Sequence, residues 1–166
     1  DIGGENSVLN MFLKSGFMLD RNSNRLILVK DDLIYEFLST DIEEYMKKFE
    51  VLATDSFKKR EIRQPKAESL GVRIENNLLN IDFSKLDFDL SELADVMEKY
   101  KLKKKYHRLK DGSFLSLEQN ETMDLLEGIT EDIDVDYNKI QKGELHLPVY
   151  RSMYLDRLLK NFDQST

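Results

Sequence analysis

Few residues in this chain have both the type and the spacing of a catalytic or metal-binding site, although it has 32 Asp and Glu residues. It has no cysteine, which excludes disulfides, thiolate nucleophiles, zinc ribbons and iron–sulfur clusters. Its two histidines, His107 and His146, have no near-sequence partner at metal-ligand spacing, and we interpret both as exposed strand or loop residues. The glycines are scattered and no serine lies in a Gly-x-Ser-x-Gly elbow. The sequence therefore predicts no catalytic, cofactor-binding or metal-binding residues.

An acidic run near residue 135 resembles part of a calcium-binding loop. Its alternating oxygen-bearing residues are Asp132, Asp134, Asp136 and Asn138. However, Tyr137 stands where such a loop needs glycine for its sharp turn, and Gly143 stands where it needs a bidentate glutamate. We therefore interpret the run as a solvated acidic loop.

The segment from Lys99 to Lys110 is strongly basic within a chain whose formal net charge is −7. Lysine and arginine side chains can neutralise phosphates, and the interleaved Tyr100 and Tyr106 can stack on bases. The candidate nucleic-acid-binding residues are Lys101, Lys103, Lys104, Lys105, Arg108 and Lys110. Alternatively, these cations stabilise a helix C-terminus or protect a strand edge, and the tyrosines belong to the core. A weaker basic cluster comprises Lys58, Lys59, Arg60, Arg63 and Lys66.

Three pairs of apolar runs flank turn-forming residues and predict β-hairpins. The first pair spans 16–29, and the second spans 72–83 with Asn76-Asn77 as its turn. The third spans 106–117, where Asp111-Gly112 suits a tight turn that needs positive φ angles. The stretch 51–54 is predicted as a short strand, and 58–66 as an exposed connector or edge strand.

Apolar residues at helical spacing predict several amphipathic helices. The predicted helical segments are a short helix or docking segment within 1–14, a helix after Asp31-Asp32, a helix restarting at a Thr40–Glu43 capping box, a helix after the Asp89–Glu92 capping pattern, a helix capped within Ser116–Gln119, and a final helix after Pro148. Leu33, Ile34, Phe37 and Leu38 are expected to face inward. In the next helix, the residues that repeat at helical spacing are Ile42, Tyr45, Met46 and Phe49. Hairpins interspersed with amphipathic helices predict an α+β fold with mainly antiparallel sheet.

Composition predicts a folded chain, because 40% of its residues are hydrophobic and only 7 Gly and 2 Pro interrupt it. We expect a single domain over 1–166, with two lobes at 1–66 and 67–166 as the alternative. No apolar stretch is long enough to span a membrane. The absence of cysteine and of a secretory signal favours the cytoplasm. The acidic start, Asp1-Ile2-Gly3-Gly4-Glu5, is typical of an excised fragment.

Two blocks of the chain, 103–117 and 147–155, resemble the bacterial Swi/Snf helicase-associated domain. Shorter upstream segments at 34–38, 55–58, 77–79 and 89–94 are similar as well, so the resemblance extends from about Gly16 onward. It implies a region N-terminal to an ATPase motor in helicase-like proteins of Gram-positive bacteria. The motor's phosphate-binding Gly-Lys-Thr loop and Asp-Glu box are missing here, and the resemblance places them beyond Thr166 in the parent protein. No functional residues carry over from this family.

The resemblance implies a non-catalytic accessory domain that positions or modulates a Swi/Snf-type motor in the same parent chain. ATP and Mg²⁺ would belong to that motor, and the predicted helix 153–162 would link the domain to it. A second hypothesis is a nucleic-acid-binding module that uses the basic segment 99–110 on DNA. A third is a protein-interaction module with an exposed apolar patch. An enzyme with an unrecognised site is the class that the sequence favours least.

Overall fold

The computed structural model describes residues 2–50, 54, 62–66, 70–130, 135–137, 140 and 143–149. The predicted strand at 51–54 lies almost wholly outside these residues. So do Lys58–Arg60, most of the acidic run, and the final helix after Pro148. The chain forms two compact units that divide between Ile62 and Arg63.

The first unit combines helices with one short hairpin. Helix α1 spans Ile2–Lys14, strands β1 and β2 span Met18–Asp20 and Arg25–Ile27, and helices α2 and α3 span Asp31–Glu36 and Ile42–Lys48. The strands pair antiparallel, with Met18 opposite Ile27. The helix within 1–14, the first hairpin and the helix after Asp31-Asp32 are therefore confirmed.

The predicted helix restart at Thr40 is wrong. A π-helical segment, Phe37–Asp41, joins α2 to α3 without a break. The Thr40 hydroxyl donates to the Glu36 carbonyl at 3.0 Å, whereas a capping box requires an extended residue whose side chain accepts from the next turn. Of the apolar residues that repeat at helical spacing here, Tyr45 is buried, whereas Met46 and Phe49 are 62% and 37% exposed.

Aromatic side chains form the centre of the first unit. Phe12 packs against Phe17 and Tyr45 with ring centroids 5.1 Å and 4.8 Å apart, and Phe17 packs against Phe37 at 5.0 Å. Gly16 follows α1 with a φ of +87°, and a Cβ there would lie 2.8 Å from a methyl group of Leu33. Glycine is therefore required both by conformation and by the close approach of α2.

Two three-stranded sheets follow, and all of their residues except Ile62 belong to the second unit. The strands are β3 Ile62–Arg63, β4 Gly71–Glu75, β5 Leu78–Asp82, β6 Tyr106–Arg108, β7 Phe114–Ser116 and β8 Glu144–Pro148. The helices are a 3₁₀ turn Leu90–Glu92, α4 Leu93–Lys101 and α5 Glu121–Thr130. The strand orders are β3-β7-β6 and β4-β5-β8. The pairs β4–β5, β5–β8 and β6–β7 are antiparallel. The α+β prediction is confirmed.

The β4–β5 hairpin follows its sequence pattern closely. Asn76 and Asn77 have φ angles of 52° and 60°, as a two-residue type I′ turn needs. Leu79 and Ile81 are fully buried. The sequence pattern did not lead us to predict β8, which pairs with β5 so that Leu147 lies opposite Leu79. The alternation of Leu145 and Leu147 with polar residues was the available signal.

Two local predictions in the second unit need correction. The β6–β7 connection is a five-residue loop in which Gly112 alone has a positive φ, and Leu109 N–H donates to the Ser113 carbonyl at 2.8 Å. Asp111 instead accepts from the backbone N–H of Ser113 at 2.9 Å. Helix α5 is capped by Asn120, not within Ser116–Gln119; its Oδ1 accepts from Met123 N–H at 3.1 Å. The buried Asn120 amide also donates to the Pro65 carbonyl, a contact that selects it as the cap.

The core of the second unit lies between its helices and sheets. Leu93, Val96 and Met97 of α4 are fully buried, as are Met123 and Leu126 of α5. This packing fixes the position of α4, whose C-terminal end carries the basic segment. None of the helices in the described residues is long and apolar enough to cross a membrane.

Candidate nucleic-acid interface

The basic segment begins where α4 ends and reverses direction around that end. Lys103 N–H donates to the Tyr100 carbonyl at 2.9 Å and Lys104 N–H donates to the Lys99 carbonyl at 3.0 Å. Lys103 has a φ of 55°. These two bonds and the left-handed residue form a Schellman motif, which satisfies the last carbonyls of the helix. The lysines therefore lie beside a helix C-terminus, where positive charge is favourable.

Substituting Lys103→Gly is expected to raise the free energy of unfolding by about 0.5–1 kcal/mol, because glycine adopts the left-handed conformation without steric cost. Urea denaturation followed by far-UV circular dichroism measures this difference. Lys105→Gly is the matched control, since the φ of Lys105 is not positive. It is expected to leave stability unchanged or lower it. Equal effects of the two substitutions would contradict this account of the helix end.

The six candidate residues do not form one surface. Lys101, Lys103, Lys104 and Lys105 are exposed together at the end of α4, whereas Arg108 lies half-buried on β6, its guanidinium 5.3 Å from the centre of the Phe114 ring. The ammonium group of Lys110 lies 3.4 Å from the hydroxyl of Ser91, at the opposite end of the helical segment. At 1.5 Å per residue, roughly 15 Å separate the two ends.

The charges at the end of α4 differ in how far they are neutralised. The Lys103 ammonium lies 3.6 Å from a carboxylate oxygen of Glu127 and 5.2 Å from the centre of the Tyr100 ring. Lys101, Lys104 and Lys105 make no ion pair with any residue in the described part of the chain. These three lysines are called the lysine surface below.

Neither tyrosine of the basic segment is an open platform for a base. Tyr100 is 6% exposed, and its hydroxyl donates to the carboxylate of Asp124. Tyr106 is half-buried and packs edge-on against Phe114, with ring centroids 5.3 Å apart. Tyr100 is thus a core residue, the alternative considered from the sequence.

Burial of Tyr100, followed by its hydrogen bond to Asp124, raises the pKa of the phenol well above its usual value. The protonated phenol therefore stabilises the fold fully below about pH 10, where an unfolded tyrosine ionises, and this contribution declines as pH rises further. Tyr100→Phe is expected to flatten the loss of stability above that pH. Asp124→Asn, which removes only part of the cause, is expected to give an intermediate pH profile. Urea unfolding across this range tests both, and identical profiles for all three proteins would contradict the assignment.

The second basic cluster is divided by the structure. Lys58, Lys59 and Arg60 lie outside the described residues. Arg63 donates to the Asp87 carbonyl at 2.8 Å and to the carboxylate of Asp111 at 2.9 Å. Its guanidinium thus connects the first residue of the second unit to two loops of that unit. The pKa of the Asp111 carboxyl lies below its usual range. The main cause is Ser113, whose hydroxyl and N–H both donate to this carboxyl, and the charge of Arg63 adds to it.

A buried polar cluster joins the start of α4 to the β6–β7 hairpin. One carboxylate oxygen of Glu92 lies 3.3 Å from His107 Nε2 and accepts the Lys110 N–H at 3.1 Å. Glu92 and His107 are only 4% and 5% exposed. The expectation that His107 is exposed is therefore wrong, whereas His146 is exposed on β8 and contacts Asn80. The sequence identified Glu92 as part of a helix-capping pattern with Asp89. In the structure, the Glu92 carboxylate instead accepts a hydrogen bond from the β6–β7 hairpin.

This cluster has the residue types of an acid–base pair but little access to a substrate. A general acid or base must reach the proton that it transfers. The side chains of His107 and Glu92 are almost completely buried, so a substrate cannot reach them. Among the residues that the structure describes, no group of three or more His, Asp or Glu side chains is placed to hold a metal ion. The arrangement therefore fits a structural link between α4 and β6.

An open polar groove lies between α1 and α3 in the first unit. Asn6, Asn10 and Lys14 line one side, and Glu44 and Lys48 line the other. Lys48 bonds to Glu44 at 2.5 Å and lowers the pKa of that carboxyl. Glu44 is thus held ionised, which suits a surface ion pair better than a proton donor.

Fold and site together define an α+β domain of two units with a local cationic surface at one helix end. The family model described as bacterial SNF2 helicase associated matches residues 1–166, the whole chain. The chain therefore belongs to this family, and the resemblance to the bacterial Swi/Snf helicase-associated domain is confirmed. Comparisons with curated proteins and with solved structures found no match.

Proposed function

We propose that this chain is a non-catalytic accessory domain that positions or modulates the ATPase motor of a SNF2-type protein in the same parent chain. The observation that carries the proposal is the family match over residues 1–166. ATP and Mg²⁺ belong to the motor, whose nucleotide chemistry requires a phosphate-binding loop and metal ligands. The burial of Glu92 and His107 is consistent with a structural role for this domain's own titratable pair.

Modulation requires that the domain contact one state of the motor more favourably than another. Such a contact needs a surface of fixed shape. The second unit provides one, because its core anchors α4 and both sheets through fully buried side chains such as Met97 of α4, Ile81 of β5 and Leu115 of β7. Binding energy at that surface is then available to shift the motor's equilibrium.

Deleting these residues from the parent protein is expected to change its DNA-stimulated ATP hydrolysis. Hydrolysis is measured with and without the domain over a series of DNA concentrations. A change in the maximal rate or in the DNA concentration for half-stimulation supports modulation, whereas identical curves would contradict it. The 166-residue chain alone is expected to hydrolyse no ATP, and turnover by it would overturn the non-catalytic assignment.

One observation favours a protein contact made by the first unit. Met18 and Ile27 lie opposite each other on the β1–β2 hairpin and are 54% and 40% exposed, and Val29 beyond β2 is 59% exposed. An exposed apolar face of this kind suits a protein partner, and the motor is the partner that we propose. Met18→Lys with Ile27→Lys, in the intact parent protein, is expected to reproduce part of the effect of deleting the domain. Unchanged DNA-stimulated hydrolysis in a folded variant would exclude this face.

A further inference from the structure

We infer that the lysine surface, formed by Lys101, Lys104 and Lys105, binds the phosphate backbone of duplex DNA without reading its sequence. The inference rests on the proposed function, which supplies DNA as the polymer next to the motor. It goes beyond that function by naming the residues and the chemistry of the contact.

The first step is charge. The three side chains are exposed, and they have no ion-pair partner in the part of the chain that the structure describes. Lys103, between them, is within 3.6 Å of Glu127 and so is partly neutralised. A polyanion that binds these unpaired cations releases its condensed counterions, which favours association. The chain as a whole carries −7, so this attraction is confined to the surface itself.

The second step is geometry. The Schellman motif fixes the backbone through Lys104, and Lys101 lies on the last turn of α4. Lys105 is four residue steps along the chain from Lys101, so their Cα atoms are at most about 14 Å apart. Along one strand of a duplex, the phosphates supply one negative charge per roughly 3.4 Å of helix axis. Three side chains within that reach are therefore expected to contact about two or three phosphates.

The third step distinguishes duplex from single-stranded DNA. Single-strand binding draws on aromatic side chains that stack on bases. Here the Tyr100 ring is buried beneath Lys103, and Tyr106 packs on Phe114. The lysine surface therefore binds through electrostatic contact with the DNA phosphates. A duplex attracts it more strongly, because it has twice the negative charge per length of axis of a single strand. The preference is therefore for duplex DNA.

Fluorescence anisotropy with the 166-residue chain tests the inference, using a labelled duplex and one of its strands. We expect a Kd for the duplex between about 10⁻⁴ and 10⁻⁶ M, and a slope of log affinity against log salt of about −2 to −3. Neutralising the lysine surface with Lys101→Gln, Lys104→Gln and Lys105→Gln is expected to weaken binding at least about 10-fold at low salt and bring the slope close to zero.

The matched control carries Lys14→Gln, Lys30→Gln and Lys47→Gln, three exposed lysines of the first unit. It changes net charge by the same amount and is expected to leave duplex affinity within about twofold, since those lysines do not contact the DNA. Replacing the lysine surface with three arginines retains the charge and is expected to retain binding. If the triple glutamine variant does not fold, as judged by circular dichroism, the three single Lys→Gln variants replace it, each expected to reduce the salt slope by about 1.

Absence of duplex binding at low salt would overturn the inference. So would equal losses in the two glutamine variants, tighter binding of the single strand, or equally tight binding of polyglutamate, which would show unspecific attraction to any polyanion. The motor-modulating role is tested separately by deleting the domain from the parent protein. Failure of DNA binding with a persisting effect of deletion therefore rejects only the contact proposed here.

Discussion

Replacing Leu79 with alanine is expected to lower the free energy of unfolding by about 2–5 kcal/mol, whereas Leu78→Ala is expected to cost less than about 1 kcal/mol. The two leucines are neighbours on β5, and successive side chains of a strand point to opposite faces. Leu79 is fully buried, opposite Leu147 of β8, and Leu78 is 39% exposed. Removing the buried side chain leaves a cavity in the core as well as losing its transfer free energy.

The comparison uses the same substitution on one strand, so differences in chemistry and strand propensity cancel. Urea denaturation of both variants, followed by circular dichroism, gives the two differences in unfolding free energy. Because β5 is the central strand between β4 and β8, loss of the Leu79 side chain also weakens the contact with β8. Similar costs at the two positions would mean that the face of β5 toward the core is wrongly assigned.

The second large effect is expected at Glu92. Glu92→Ala removes the acceptor of the Lys110 N–H and the partner of His107 Nε2. His107 Nε2 would be left without its partner in a buried site, and the half-buried Lys110 N–H would lose its acceptor. Within the described part of the chain, His107 Nδ1 already has no hydrogen-bond partner. An unsatisfied buried donor costs about 1–3 kcal/mol and a lost hydrogen bond about 0.5–1.5 kcal/mol, so we expect the free energy of unfolding to fall by about 2–4 kcal/mol.

Two controls separate this effect from the loss of a glutamate on a helix. Glu98→Ala changes an exposed residue of α4 and is expected to alter stability by no more than about 0.5 kcal/mol. Glu92→Gln keeps an oxygen that accepts the Lys110 N–H and is expected to cost less than the alanine substitution. Thermal and urea unfolding measure all three variants. An alanine variant as stable as the glutamine variant would contradict a role for that hydrogen bond.

Much of the fold was predictable because its signals are local. Asn76-Asn77 adopts the positive φ angles that a two-residue hairpin turn needs, and the alternation of Leu79 and Ile81 with polar residues marks the buried face. Asp89 caps the 3₁₀ turn before α4 by accepting from Ser91 N–H at 2.8 Å, as the capping pattern predicted. Each of these features involves residues within a few positions of one another.

The errors arose where distant contacts compete with local preference. Thr40 has the residue type of a helix cap, but the backbone stays helical from α2 through α3, and the Thr40 hydroxyl donates to the preceding turn. Asn120 is chosen as the cap of α5 by its contact with Pro65, 55 residues earlier. Strand β8 pairs with β5, which lies more than sixty positions earlier in the chain. Because no short turn joins the two strands, the sequence lacks the hairpin signal that would predict this pairing.

The candidate site shows the same division. By itself, the sequence determined the α+β class, the main hairpins and the concentration of lysines between 99 and 110, since these follow from residue type and short-range periodicity. Only the tertiary structure showed that Glu92 contacts His107, 15 positions along the chain, and that Tyr100 is buried against Asp124. It also showed that the lysine surface, Lys101, Lys104 and Lys105, is exposed. Burial depends on which elements pack together, and that choice is made by the whole core, whereas backbone preference depends on each residue and its immediate neighbours.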